Sequence, residues 1–184
     1  FGITSLILRK VSYSARNCHV LLRDLYAIYC WQQTIQFLMH SLPIEPLLPE
    51  LCEALKHHPN GVLQAPPGAG KTTCVPLALL RQDWLLERSI IMLEPRRLAA
   101  RAAAHRMAAL LGQSVGQTIG YRTRMDTNVG PGTRIEVVTE GVLTRMLQSD
   151  PALERYGVVI FDEYHERSIH ADVGLALALQ SQSL

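Results

Sequence analysis

The stretch Ala65-Pro66-Pro67-Gly68-Ala69-Gly70-Lys71-Thr72 decides the fold. It lies between a short apolar run at 61–65, read as a strand, and an apolar segment at 71–81, read as a helix. Gly68 and Gly70 allow the backbone to turn its N–H groups inward around an anion. The helix that starts at Lys71 adds its positive N-terminal end. Lys71 then reaches the outer phosphates of a nucleotide, and the Thr72 hydroxyl ligates Mg²⁺. The pattern is a Walker A loop with Ala65 where its first glycine stands, stiffened at the entry by Pro66 and Pro67. Pro67, Gly68, Ala69, Gly70, Lys71, Thr72 and Thr73 are the expected nucleotide contacts.

On either side of this loop the alternation of strand and helix continues. Upstream, Ile44, Leu47, Leu48, Leu51 and Leu55 recur at helical spacing, which predicts an amphipathic helix over 43–57, stopped by Asn60-Gly61. Downstream, strands are predicted at 89–93, 119–122, 134–139 and 158–162, and helices at 96–111, 140–148 and 171–180. Strands that alternate with helices build βαβ units and a mostly parallel sheet with helices on both faces, the α/β architecture of a RecA-like P-loop NTPase domain.

A phosphate loop needs an acid to hold Mg²⁺ and another to orient the attacking water. Val158-Val159-Ile160-Phe161-Asp162-Glu163 supplies both at the C-terminal end of a strand, where ligands collect in an open α/β sheet. Asp162 is the expected Mg²⁺ partner, acting through water, and Glu163 the base. The catalytic set is therefore Lys71, Asp162 and Glu163, and the metal set Thr72 and Asp162.

The continuation, Asp162-Glu163-Tyr164-His165-Glu166-Arg167-Ser168, resembles motif II of the DEAH-box helicases of superfamily 2, which is Asp-Glu-Ala-His followed by Glu-Arg. Tyr164 departs from the usual alanine, and an aromatic there is similar to the bacterial HrpB-like subgroup. Arg96-Arg97-Leu98-Ala99-Ala100-Arg101 and Thr139-Glu140-Gly141-Val142-Leu143 agree with that subgroup. The resemblance runs from about 41 to 178 and rests on four motifs in order.

That resemblance implies the N-terminal RecA-like domain of an ATP-dependent RNA helicase. It places Arg96 and Arg97 in motif Ia and Thr139 and Gly141 in motif Ib, as contacts to a nucleic-acid backbone. Arg101 and Arg106, on the same expected helix, are read as solvated, and Arg122 stands as a weaker candidate for nucleic acid. His165 joins the catalytic set, linking motif II to a Ser-Ala-Thr motif that would lie beyond Leu184. The chain is accordingly read as truncated before motif III, and the fragment alone is expected to bind nucleotide weakly and turn it over poorly. The implied cofactors are ATP and Mg²⁺, with other NTPs open because no base-reading glutamine motif is evident over 40–60. The implied partners are RNA or single-stranded nucleic acid and a second RecA-like domain of the same protein. A backbone grip does not distinguish RNA from DNA.

Composition sets the outer bounds. The chain has 184 residues and a net charge of +2, so charge alone announces no nucleic acid. Lys10, Lys56 and Lys71 are the only lysines; every other cation is arginine, which grips phosphates in bidentate fashion. Cys18, Cys30, Cys52 and Cys74 show no metal spacing. No uncharged apolar stretch is long enough for a membrane span, and a cytoplasmic location is expected. Residues 1–38, rich in Tyr, Cys and Trp, do not match the rest of the chain. They are read as an atypical extension, non-native or poorly ordered, with the helicase domain over 39–184. Two other classes stay open: a different P-loop NTPase, and a nucleic-acid-binding module without catalysis.

Overall fold

The computed structural model of the protein describes residues 3–10 and 42–182. Seven strands, β1 (Ile3–Arg9), β2 (Asn60–Ala65), β3 (Ser89–Leu93), β4 (Ile119–Arg122), β5 (Thr127–Asn128), β6 (Ile135–Val138) and β7 (Tyr156–Phe161), join in one sheet. Their order is β2-β1-β7-β3-β6-β4-β5. Five helices, α1 (Leu48–His57), α2 (Lys71–Leu79), α3 (Arg97–Leu110), α4 (Glu140–Ser149) and α5 (Ile169–Ser181), cover its faces.

The strands alternate their side chains between two cores, as the period of two requires. Ile90 and Met92 of β3, Ile135 and Val137 of β6, and Val158 and Ile160 of β7 face one core together with residues of α1, α2 and α3. Ile91, Leu93, Val138, Val159 and Phe161 face the other, under α4 and α5. Burial on both faces explains why these strands read as unbroken apolar runs.

Strand direction positions the site. β7 pairs parallel with β3, β3 with β6, and β6 with β4. β1 is antiparallel to both β2 and β7, so β2 and β7 also run the same way. The C-terminal ends of β2, β7, β3 and β6 therefore lie along one edge of the sheet. The loops after them carry Gly68–Lys71, Asp162–Glu163, Arg96 and Thr139, four groups that are scattered along the sequence.

Two differences from the sequence-based expectation have physical causes. The helix expected over 43–57 begins only at Leu48, because Pro46 and Pro49 favour a short 3-10 turn over Glu45–Leu47 ahead of it. The segment set apart as an atypical extension contributes β1, inserted between β2 and β7; residues 11–41 lie outside those described. Ser5-Leu6-Ile7-Leu8 carries no two-residue period because Ile7 enters one core and Leu8 the other.

Met92, in β3, has no solvent exposure. Met92→Ala is expected to lower the unfolding free energy by about 2–5 kcal/mol through lost burial and a residual cavity, read from denaturant midpoints at constant m-value.

Candidate functional site

The phosphate loop leaves β2 at Ala65 and enters α2 at Lys71. Gly68 and Gly70 adopt φ values of 74° and 97°, the left-handed region that glycine enters without penalty. At Gly70 a Cβ would also stand 2.9 Å from Leu42 Cδ1 and 3.2 Å from Cys74 Sγ, so a side chain there would have to displace its neighbours as well as strain the backbone. The Gly70 carbonyl accepts from the Cys74 amide at 2.8 Å, which starts the helix. Lys71 is buried, and its ammonium donates to the carbonyls of Ala65 at 2.9 Å and Pro66 at 3.0 Å. The cation is thus held inside the loop, over the ground that a phosphate would occupy.

Asp162 is buried at the end of β7, with a donor on each oxygen. Thr72 Oγ1 donates to Oδ2 at 2.5 Å, and Ser5 Oγ donates to Oδ1 at 2.7 Å. A hydrogen bond to a charged acceptor is worth about 1.5–3 kcal/mol. These two bonds tie the helix after the phosphate loop and β1 to the acid strand. Asp162 and Thr72 together offer one carboxylate and one hydroxyl, a hard oxygen set. That set fits Mg²⁺, which keeps several waters and takes its remaining ligands from substrate phosphates.

A cavity of about 560 Å³ opens in front of the loop, lined by Gly68, Gly70, Lys71, Thr72, Thr73, Glu94, Arg96, Arg106, Glu163 and Glu166 among others. Glu163 follows Asp162 with φ 51°, a left-handed conformation that is unusual away from glycine and that turns the carboxyl toward this cavity. Burial, then the charge of Asp162, raises the Glu163 carboxyl above its ordinary range. His165 Nε2 stands 3.6 Å from Glu163 Oε2, so the histidine attends the carboxylate expected to act as the base. Glu94, just after β3, is buried and pushed up to about 8, chiefly by burial and then by the charges of Asp162, Glu163 and Glu166.

The nucleic-acid candidates sit on the adjoining loops. Arg96 is exposed and pairs with Glu166, and Arg97, also exposed, opens α3. Thr139 is the N-cap of α4 and is buried; its backbone carbonyl accepts from the amides of Val142 at 2.9 Å and Leu143 at 3.1 Å. Gly141 is exposed on the first turn of α4, and a Cβ there would meet nothing within 4 Å.

Several residues stand elsewhere than the sequence suggests. Arg122 donates to Glu136 Oε2 at 2.6 Å, and Glu136 has no exposure, so this arginine serves an internal ion pair. Arg101 lies over the Tyr121 ring and pairs with Asp126 at 3.4 Å. Arg106 is exposed, as expected, and also lines the cavity. Tyr164 fills the place of the usual alanine by reaching α5: its hydroxyl donates to Asp172 Oδ1 at 2.8 Å, and Arg167 donates to Oδ2 at 2.9 Å. Glu94 and Arg106 escape sequence reasoning as cavity residues. The signal for Glu94 is an acid abutting the apolar strand 89–93; Arg106 gives none, because its helix is rich in arginine all round.

The sequence profile of the DEAD/DEAH box helicases matches residues 49–174. Over 144 residues the chain is 56% identical to the ATP-dependent RNA helicase HrpB of Escherichia coli strain K12, covering 78% of this chain and 18% of that protein. It is 38% identical over 139 residues to the ATP-dependent RNA helicase DEAH13 of Arabidopsis thaliana, covering 72% of this chain and 11% of that one. A crystal structure of Escherichia coli DEAH/RHA helicase HrpB superposes with a TM-score of 0.72 at 53% identity, covering 78% of this chain and 18% of that one. The chain spans less than a fifth of the length of these relatives.

Glu94 gives the site a pH signature. Its carboxyl ionises near 4.5 when unperturbed and near 8 in the fold, so between those values the folded state holds a proton that the unfolded chain has lost. Stability therefore falls as pH rises from about 4.5 to 8 and levels off above. Glu94→Gln removes that slope: the variant is expected to gain on the parent progressively from pH 5 to pH 8, measured by denaturant midpoints across the range.

Proposed function

Because the chain belongs to the DEAD/DEAH box helicase family, we propose that it is the ATP-binding, RecA-like domain of an ATP-dependent RNA helicase, formed by 39–184 with β1 added to its sheet. In the longer protein, ATP hydrolysis drives movement along RNA or its unwinding. The observation that carries this reading is the 2.5 Å contact between Thr72 of the phosphate loop and Asp162 of motif II, at the edge of a cavity of about 560 Å³. The names of the relatives support the RNA substrate.

In this reading the amides of Gly68, Ala69, Gly70, Lys71, Thr72 and Thr73 surround the β-phosphate, as a loop entering a helix N-terminus does. The Lys71 ammonium exchanges the Ala65 and Pro66 carbonyls for phosphate oxygens. Pro67, which has no amide hydrogen to offer, stiffens the entry to the loop and holds its backbone against the nucleotide. Thr72 and Asp162 would hold Mg²⁺, which would supply positive charge to offset the negative charge that develops on the phosphates. Glu163 orients the attacking water and accepts its proton as the new oxygen–phosphorus bond forms and the bond to the leaving ADP breaks. A raised Glu163 carboxyl makes a better proton acceptor near neutrality. His165, beside Glu163, passes the state of the γ-phosphate onward. Arg96, Arg97, Thr139 and Gly141 grip the nucleic-acid backbone. A second RecA-like domain of the same protein brings the arginine finger, an effect of about 10³–10⁵ in rate. We place the protein in the cytoplasm; among the described residues no helix is long and apolar enough to cross a membrane.

Titration of the chain with Mg-ATP and Mg-GTP tests the nucleotide half. Parallel affinities are expected, with at least about a tenfold loss in Lys71→Ala, since charge-assisted contacts to phosphate are the strong ones. Equal binding by parent and variant contradicts the reading. For the nucleic-acid half, Arg97→Ala is expected to weaken single-stranded RNA of any sequence and to lower the slope of log K against log salt by about one.

A further inference from the structure

The motif II turn is bonded to α4 as well as to the nucleotide cavity, and the link uses residues that neither set of contacts includes. Ser168 Oγ donates to Glu140 Oε1 at 2.6 Å and accepts from the Ala171 amide at 3.0 Å. The first bond reaches the opening turn of α4, between Thr139 and Gly141; the second caps α5. One hydroxyl thus fastens two helix starts to the turn that begins at Asp162-Glu163.

The turn is held in an uncommon backbone conformation. Residues Tyr164–Glu166 form a single 3-10 turn. It is bracketed by two non-glycine residues in the left-handed region, Glu163 at φ 51° and Arg167 at φ 48°. Such residues persist only where their surroundings hold them. Beneath the turn lies a second cavity, of about 100 Å³, lined by Leu93, Pro95, Glu140, Asp162, Tyr164 and Ser168 among others. The turn therefore borders open space, whereas Phe161 just before it is fully buried. Glu163 and Ser168 both line that cavity, and Ser168 is bonded there to Glu140.

We infer that the Ser168–Glu140 hydrogen bond is the joint that couples nucleotide occupancy to the nucleic-acid grip of the α4 start, with Ser168 a positioning residue. The inference rests on the proposed nucleotide and nucleic-acid sites. A joint of this kind shows as a coupling between ligands, because whatever nucleotide does to RNA affinity, RNA does to nucleotide affinity by the same factor. A hydroxyl that only caps a helix changes stability and leaves that factor alone.

The test measures binding of a fluorescein-labelled single-stranded oligo-uridine to the full 184-residue chain, with and without Mg²⁺ and a non-hydrolysable ATP analogue. The parent is expected to show at least about a fivefold difference in RNA affinity between the two conditions. Ser168→Ala should bring that ratio to within about twofold of one while each ligand alone binds as in the parent. Ser168→Asp separates cap from joint: aspartate caps a helix well but repels Glu140, so it should preserve thermal stability and still lose the coupling. Ser168→Thr, which keeps the hydroxyl, should restore it. A parent-like ratio in Ser168→Asp and Ser168→Ala overturns the inference and leaves the function standing. A ratio of one in the parent overturns it too. A parent that binds neither Mg-nucleotide nor RNA overturns the underlying functional reading and this inference with it.

Discussion

The Asp162 carboxylate holds the site together. It ends a strand in the middle of the sheet, buried, with Thr72 on one oxygen and Ser5 on the other. The phosphate loop and the acid strand are 90 residues apart in sequence, and no local propensity brings them together. Strand direction does: β2 and β7 run the same way with one strand between them, so their ends are about 9–10 Å apart across the sheet. That separation is one that two side chains can close. Reversing either strand would send its loop to the opposite edge.

Around that contact the site is governed by electrostatics in a partly enclosed space. Three acids, Glu94, Glu163 and Glu166, line the cavity together with Lys71, Arg96 and Arg106, and the charge of Asp162 acts on Glu94 from beside it. Burial, and then the charges of the neighbouring acids, raises the carboxyls of Glu94 and Glu163, and the arrangement favours a ligand that arrives with its own cation. A triphosphate with a divalent ion answers both kinds of group at once, its phosphates the basic ones and its cation the acids. Arg96 and Glu166 join the two charges in a surface ion pair.

Much of this is legible in the sequence because the candidate site lies where local signals are strong. Gly68 and Gly70 announce a backbone that must turn, and Asp162-Glu163 after an apolar run announces an acid pair at a strand end. Strand β3 has the bounds its sequence predicts, since Ser89–Leu93 is buried along its whole length. The features that escape are set by tertiary context. β1 carries no alternation because both of its faces are covered, and its place between β2 and β7 depends on partners far along the chain. The pairing of Arg122 with Glu136 depends on the register of β4 with β6, where Gly120 stands opposite Glu136. The start of α1 is predicted too early because apolar spacing persists through Pro46 and Pro49, whose effect on the first turn outweighs it.

The most direct measurement of the central claim is a Mg²⁺ titration of ATP binding to Asp162→Asn beside the parent chain. If Asp162 joins the phosphate loop to the metal, parent affinity rises with Mg²⁺ by about tenfold or more, and the variant binds with an affinity indifferent to the cation while its thermal unfolding stays cooperative. A variant whose ATP affinity keeps the parent's full dependence on Mg²⁺ would contradict the account.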